Sequence, residues 1–250
     1  MTADLVLTTV DTDVAVVTLN DPDHRNALSY DLTTALANAV TAASTRADVS
    51  GIVIAAAPPV YSAGGSVDDL LEPKAPLEAM YAGFEAIAAA TVPTVAAVGG
   101  PAVGAGVNVA LACDVIVCSP SARFDPRWLD VGIHPGGGNL WSLRERIGRQ
   151  ATAALVLCGE SVDGEEAARI GLAWRCVPDD GLVEAAIALA RVAARRDRDL
   201  VARTKATLNA SAAVTSHSDA VALELEPQRW SMGRPAFADQ LDVIRRRLGR

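Results

Sequence analysis

The 250-residue sequence lacks a CxxC pair. Its four cysteines, Cys113, Cys118, Cys158 and Cys176, are scattered and have no histidine at zinc-ligand spacing. That excludes the common thiol–metal and dithiol centres and leaves buried, reduced thiols as the expectation. An excess of base is also missing. The 22 Lys and Arg are outnumbered by 30 Asp and Glu, for a formal net charge of −8 and a pI near 4.9. Wholesale binding of nucleic acid needs a basic face, so that function class is excluded. No apolar run is long enough to span a bilayer, because the longest, around residues 86–98, is broken by Pro93. The opening "MTADLVLTTVD" carries an early acid and lacks the basic-then-apolar pattern of a secretory signal. A soluble, cytoplasmic protein is the expectation, with no membrane span and no nucleic-acid partner. Two catalytic signatures are absent as well. Ser62 and Ser66 stand outside any G-x-S-x-G elbow, which argues against a serine nucleophile. Gly100, Gly104 and Gly106 have the wrong spacing for the G-x-G-x-x-G of a nicotinamide oxidoreductase.

With 50% hydrophobic residues, the chain can bury one large core. Alternation over Leu5–Val10 and Val14–Leu19 around "DTD" predicts a β-hairpin. Ser29 stands as a capping hydroxyl before Leu32, Leu36, Ala39 and Val40, which have helical spacing. "GIVIAAA" and "TVAAV" suit strands buried on both faces, with a helix expected near 78–90 between them. A helix from about Ala105 leads to a further strand, "DVIVCS", a turn and Phe124. This order is an α/β pattern. Beyond residue 150 the strand signal fades; "SVDGEEAARIGL" predicts a capped helix and "EAAIALARVAARR" an alanine-rich one. We divide the chain into a core over residues 1–190 and a helical region over 191–250. A helical tail with apolar faces must pack on its own core or on another subunit, which predicts a homo-oligomer.

Three glycine-rich segments carry the candidate chemistry: "PVYSAGGSVDDL" (59–70), "GGPAVGAGVNVALACD" (99–114) and "FDPRWLDVGIHPGGGN" (124–139). Gly64 and Gly65 allow a close backbone approach. The N–H groups of Ala105 and Gly106 open a helix and have no intrahelical acceptor. Converging backbone donors suit a partly negative oxygen. One such turn is ordinary in an α/β fold; three in this order are not. Tyr61 offers a hydroxyl or simply packs, and Asp68 and Asp69 are cap candidates for the helix that follows.

With "LNDPDHRNALS" ahead of them, these segments resemble the crotonase superfamily of enoyl-CoA hydratases and isomerases, over nearly the whole chain. The resemblance implies an α/β crotonase-like spiral of ββα units with a C-terminal helical oligomerisation region, assembled as a homo-trimer or a dimer of trimers. It also implies an acyl-CoA thioester as substrate or ligand, with no further cofactor and no metal. By position, the thioester oxygen would meet the backbone N–H groups of Gly65 and Ala105. Coenzyme A contacts would fall on Arg25 and Ala27 of "HRNALS", on Ala63 and Gly64 of "YSAGG" and on Gly137 of "PGGG". The tail "RRRLGR" is a second phosphate candidate, or a solvated helix end whose cations offset the dipole.

The departure from the family pattern lies in its two catalytic glutamates. Asn108 and Trp128 occupy those positions here. A carboxamide has no proton equilibrium near neutral pH, so Asn108 orients water at most, and Trp128 supplies one N–H donor and an apolar plane. His134, whose imidazole can carry a proton, and Asp130 are the substitute candidates. Two functions follow for test: lyase or isomerase chemistry on enoyl-CoA by a divergent residue set, and acyl-CoA binding without turnover.

Overall fold

The computed structural model describes residues 4–248. The expected hairpin forms as β1 (Val6–Asp11) antiparallel to β2 (Val14–Leu19), with Val6 opposite Leu19 and Asp11 opposite Val14. Next comes α1 (Tyr30–Thr45), whose Ser29 cap accepts a hydrogen bond from Leu32 N; Leu32, Leu36 and Val40 form its buried stripe. It is followed by β3 (Gly51–Ala56), α2 (Val67–Leu71), α3 (Ala82–Ala89), β4 (Thr94–Val98) and β5 (Pro101–Val103). The helix expected over 78–90 is shorter, because Leu77–Tyr81 is a 3₁₀ turn. Thr33 of α1 explains the break: its hydroxyl donates to Met80 O and accepts from Gly83 N, pinning the junction from outside. The chain continues through α4 (Ala105–Leu111), β6 (Val115–Cys118), β7 (Arg123–Asp125), α5 (Asn139–Leu157), β8 (Val162–Asp163), α6 (Gly164–Arg169), β9 (Arg175–Cys176) and α7 (Leu182–Arg191).

The large sheet has the order β1-β2-β3-β4-β6-β9 and is parallel from β2 onward. Its inner strands β2, β3, β4 and β6 are largely apolar because both of their faces are covered, whereas the edge strand β1 is mostly exposed. Ala15, Val17, Ile52, Ile54, Ala96 and Ile116 turn towards α1, α3 and α4. Val14, Val16, Val53, Val95 and Val117 turn towards Leu182, Ala186 and Ile187 of α7. Each of the larger aliphatic side chains contributes about 1.5–3 kcal/mol by burial.

A second, smaller stack decides where the chemistry sits. Leu28 bridges Gly65 in parallel, Ser62 bridges Ala102, and Ala102 pairs with Phe124 through β5 and β7. Each turn of the chain therefore adds a strand to the large sheet and then a short rung to this stack before its helix. The rungs belong to the four sequence motifs. That is how segments spread over more than a hundred residues become neighbours, and it is the spiral of strand–strand–helix units expected from the sequence.

Residues 198–247 hold three further helices, α8 (Arg198–Ser211), α9 (His217–Met232) and α10 (Pro235–Arg247). Lys205 anchors α8 to the core, its Nζ lying 2.7 Å from Asp114 Oδ2 and 3.1 Å from Val92 O. Arg198 donates to Ser44 O at 2.6 Å. The guanidinium groups of Arg203 and Arg234 both lie over the Trp230 ring, at 4.2 and 4.6 Å from its centroid. Leu208, Val221, Leu225, Phe237, Leu241 and Ile244 of these helices remain exposed. No described helix is long and apolar enough to cross a membrane.

The cysteines divide in a way the sequence did not anticipate. Cys113 and Cys118 are buried as expected, Cys176 is half-buried, and Cys158 is exposed at the end of α5. All four are free thiols. Burial pushes the thiols of Cys113 and Cys118 up to about 12, so almost no thiolate is present at neutral pH. Iodoacetamide at pH 8 should therefore alkylate Cys158 quickly and leave Cys113 and Cys118 untouched until the chain unfolds. Intact-mass measurement and peptide mapping check this; fast labelling of Cys113 or Cys118 in the native protein would contradict the packing.

Candidate functional site

The segment "HRNALS" packs against the first glycine loop. Ala63 N donates to Arg25 O at 3.0 Å, Leu28 N to Gly64 O at 2.7 Å and Ser66 N to Leu28 O at 2.9 Å. Asn26, which is fully buried, ties the corner together. Its Nδ2 donates to Ala57 O and Val60 O at 2.9 and 2.7 Å, its Oδ1 accepts from Asp21 N at 2.8 Å, and its own carbonyl accepts from Ser62 Oγ at 2.8 Å. Arg25 and Asn26 both have positive φ, 55° and 52°, the left-handed geometry that turns this corner. Arg25 is exposed beside the loop, with Ala27 half-buried.

The first loop in turn lies on the second. Ser62 N donates to Pro101 O at 3.1 Å, and Val103 N donates to Ser62 O at 2.9 Å. Gly106 must be glycine, since a Cβ there would lie 2.6 Å from Ser62 O and 2.8 Å from Ser62 Cβ. Gly64 has φ +97°, and a Cβ on it would lie 2.8 Å from Val103 O and 3.6 Å from Ala105 N. Gly64 thus packs against the Val103 carbonyl, two residues before Ala105. The N–H groups of Gly65 and Ala105 meet no acceptor among the described residues. Gly104 N donates to Asp125 O at 2.9 Å, which fixes the turn that aims Ala105. Asp125 is itself buried, and its carboxylate is paired with Arg127 and, at 3.6 Å, with Arg123.

Asn108 is buried on the next turn of α4. Its Nδ2 donates to Gly136 O at 2.9 Å and its Oδ1 accepts from Asn139 Nδ2 at 2.7 Å. The carboxamide therefore fastens the third glycine segment to α4. Two aromatic rings, Tyr81 and Phe84, 5.5 Å apart, cover the bare Cα atoms of that segment. A Cβ on Gly136 would lie 2.6 Å from Tyr81 Oη, and one on Gly137 would lie 2.8 Å from Phe84 Cε2. Trp128 precedes the 3₁₀ turn Leu129–Val131; its Nε1 is buried without a hydrogen-bond partner, as is Asn139 Oδ1. A surface cleft of about 140 Å³ runs down to Asn108 and Gly137 between α3, α4 and α5.

The other candidates make no hydrogen bond to the amides of Gly65 and Ala105. His134 is exposed, its Nδ1 2.8 Å from the carbonyl of Pro135. Asp130 is exposed on the 3₁₀ turn. Tyr61 is sealed in the core with an unpartnered hydroxyl, and burial pushes that phenol well above its ordinary range. Ser66, not Asp68 or Asp69, caps α2. Asp69 instead reaches back to accept from Tyr30 N at 2.8 Å, and it raises the pKa of Lys74, 3.3 Å away. The arginines Arg245, Arg246 and Arg247 end α10 on the exposed surface, and the last two residues of "RRRLGR" lie outside the described residues. Sequence reasoning missed Asn26, Asn139, Asp125 and Tyr81. Asn26 lies inside the quoted "HRNALS" and Asp125 and Asn139 inside "FDPRWLDVGIHPGGGN", whereas Tyr81 stands outside every quoted motif. No cluster of three metal-ligating side chains occurs among the described residues.

Comparison with known proteins identifies the family and the fold. The family model described as enoyl-CoA hydratase/isomerase matches residues 9–231. The chain is 40% identical over 256 residues to the Mycobacterium tuberculosis protein described as "Probable enoyl-CoA hydratase EchA14", covering 98% of each. It is 34% identical over 188 residues to the 2,3-dehydroadipyl-CoA hydratase of Escherichia coli, covering 73% of this chain and 72% of that one. The solved enoyl-CoA hydratase of Mycobacterium smegmatis superposes with a TM-score of 0.89 at 26% identity, covering 97% of this chain and 96% of that one. With its motifs on successive rungs of one spiral and a family match across most of its length, the chain belongs to the enoyl-CoA hydratase/isomerase (crotonase) family.

Proposed function

We propose that this protein binds an acyl-CoA thioester with the carbonyl oxygen between the N–H groups of Gly65 and Ala105, and stabilises the enolate that forms there. The observation that carries the reading is the packing of the first glycine loop on Val103, two residues before Ala105, together with the amides of Gly65 and Ala105, neither of which has an acceptor among the described residues. An enolate places its charge on the thioester oxygen, and one preorganised donor of this kind is worth about 3 kcal/mol in the transition state. Arg25, Ala27, Ala63, Gly64 and Gly137 would then line the coenzyme A path. The exposed apolar residues of α8 to α10 support assembly as a homo-trimer or a dimer of trimers.

Hydration of an enoyl-CoA needs a proton removed from water as its oxygen joins Cβ, and a proton delivered to Cα. Neither Asn108 nor Trp128 exchanges a proton near neutral pH. Asn108 is further committed to Gly136 and Asn139. His134 and Asp130 are the titratable candidates from the sequence, and the Tyr81 hydroxyl, which a Cβ on Gly136 would meet at 2.6 Å, is a third. The commitment of Asn108 favours a second reading, acyl-CoA binding without turnover.

A paired experiment separates the two. Binding of a saturated acyl-CoA is measured by calorimetry, and loss of enoyl-thioester absorbance is followed with short and long enoyl-CoA substrates. Turnover above a blank, lost in His134→Asn, Asp130→Asn or Tyr81→Phe with affinity retained, identifies the proton carrier. Binding with no turnover establishes the second reading. No binding of either thioester ends both.

A further inference from the structure

Cys118 and Cys176 are remote in the chain and neighbours in the sheet. β6 and β9 run parallel in a register that sets Cys118 opposite Cys176. Trp174 N donates to Ile116 O at 2.8 Å on one side of the pair, and Val177 N to Cys118 O at 2.9 Å on the other. Residues directly opposite on adjacent strands share one face of the sheet at a spacing of about 4.8 Å, and a disulfide accepts Cα separations of about 4.4–6.8 Å. The side chains bear out the shared face, because both sulfurs converge on Gly164. Cys118 Sγ donates to Gly164 O at 3.2 Å and lies 3.6 Å from Arg175 O; a Cβ on Gly164 would lie 3.3 Å from Cys176 Sγ. Their access differs: Cys118 is buried, whereas Cys176 is half-buried and open to a small solute. β9 is the edge of the sheet and pairs with β6 through two residues, so little backbone resists an inward shift that brings the sulfurs together.

We propose that Cys118 and Cys176 form a reversible disulfide when the protein meets hydrogen peroxide, with Cys176 reacting first and Cys118 resolving the product. The Cys176 sulfur takes a hydroxyl as the O–O bond breaks, which gives a sulfenic acid and one water. The Cys118 sulfur then attacks the Cys176 sulfur; the S–O bond breaks, and the hydroxyl leaves with the Cys118 proton as a second water. The two thiols lose two electrons in all, and the peroxide gains them. Burial raises both thiols, so little thiolate is present and the first step is slow. The second step is helped by strand pairing, which keeps the two sulfurs at hand. A bridge here closes the chain over β7, the third glycine segment, α5 and α6, and so restricts the unfolded state. It also clasps the short edge strand to the sheet, whatever the amides of Gly65 and Ala105 bind.

The full chain carrying Cys158→Ser tests the assignment, since that change removes the exposed thiol and leaves the pair intact. Reduced protein is treated with millimolar hydrogen peroxide, quenched with catalase, unfolded and alkylated with iodoacetamide for intact mass and peptide mapping. The expected product has lost two hydrogens, is alkylated at Cys113 alone, and yields a linked Cys118–Cys176 peptide that dithiothreitol releases. Its urea midpoint should rise above that of the reduced protein and return on reduction. In Cys118→Ala, Cys176 should stop at a sulfenic acid that dimedone captures. In Cys176→Ala, Cys118 should resist peroxide as Cys113 does. Mapping of the intact pair decides the assignment even if either alanine variant fails to fold. The proposal falls if, with both cysteines present, Cys176 is driven to sulfinic or sulfonic acid while Cys118 stays reduced. It falls equally if Cys176 is untouched at a dose that fully oxidises Cys158 in the wild type. A linked peptide with no change in urea midpoint removes the clasping role and keeps the disulfide.

Discussion

Gly64→Ala is expected to abolish acyl-CoA binding and to destabilise the fold by several kcal/mol. The wild-type φ of +97° lies where an alanine is strained whatever the space around it, at a cost of about 1–3 kcal/mol. The new Cβ would also sit 2.8 Å from Val103 O. That carbonyl cannot simply retreat, because Val103 N is bonded to Ser62 O on the same rung. Relief must come from parting the two loops, which separates the amides of Gly65 and Ala105. Gly132→Ala is the matching control. It has φ +72° with nothing within 4 Å of the added Cβ, so it should lose about 1–2 kcal/mol of stability and keep wild-type affinity. Urea midpoints and calorimetric titration with a saturated acyl-CoA measure both effects. A Gly64→Ala protein that binds as well as wild type would mean that the thioester is held elsewhere.

Asn26→Ala should be the most damaging substitution outside the glycine loops. It removes the donor for Ala57 O and Val60 O and the acceptor for Asp21 N around a side chain that is itself fully buried, the three partners lying on half-buried residues. A buried polar group left unpaired costs about 1–3 kcal/mol, and with water reaching part of the corner the expected loss is about 2–3 kcal/mol. Because the same corner carries Arg25 O and Leu28 N, which hold Ala63 and Gly64, affinity for acyl-CoA should fall with stability. Asn26→Asp separates the contributions: it keeps the acceptor for Asp21 N and loses the donor, so it should stay destabilised relative to wild type. Denaturation midpoints for the three proteins check the order. Equal midpoints would show that the corner is held by its backbone alone.

The α/β class, the first hairpin, the buried strands and the Ser29 cap were legible in the sequence because each has a local physical signature. A strand covered on both faces must be continuously apolar, as Ile52, Val53 and Ile54 are. A helix start needs a short polar side chain, as Ser29 supplies. Glycine is demanded where backbone meets backbone, so Gly64 and Gly106 marked their loops without any coordinates. The absence of carboxylates at Asn108 and Trp128 was equally a property of the sequence. What Asn108 does instead was decided only by the tertiary structure, through contacts with Gly136 and Asn139 some thirty residues away. The same holds for Asn26 reaching Ala57 and Val60, for Asp69 bonded to Tyr30 rather than capping its own helix, and for Tyr81 covering Gly136. Hydrogen bonds and van der Waals contacts between distant segments leave no periodicity in the chain. They exist because the spiral stacks one rung of each unit on the last, and only that stacking tells a side chain that fastens two loops from one free to meet a ligand.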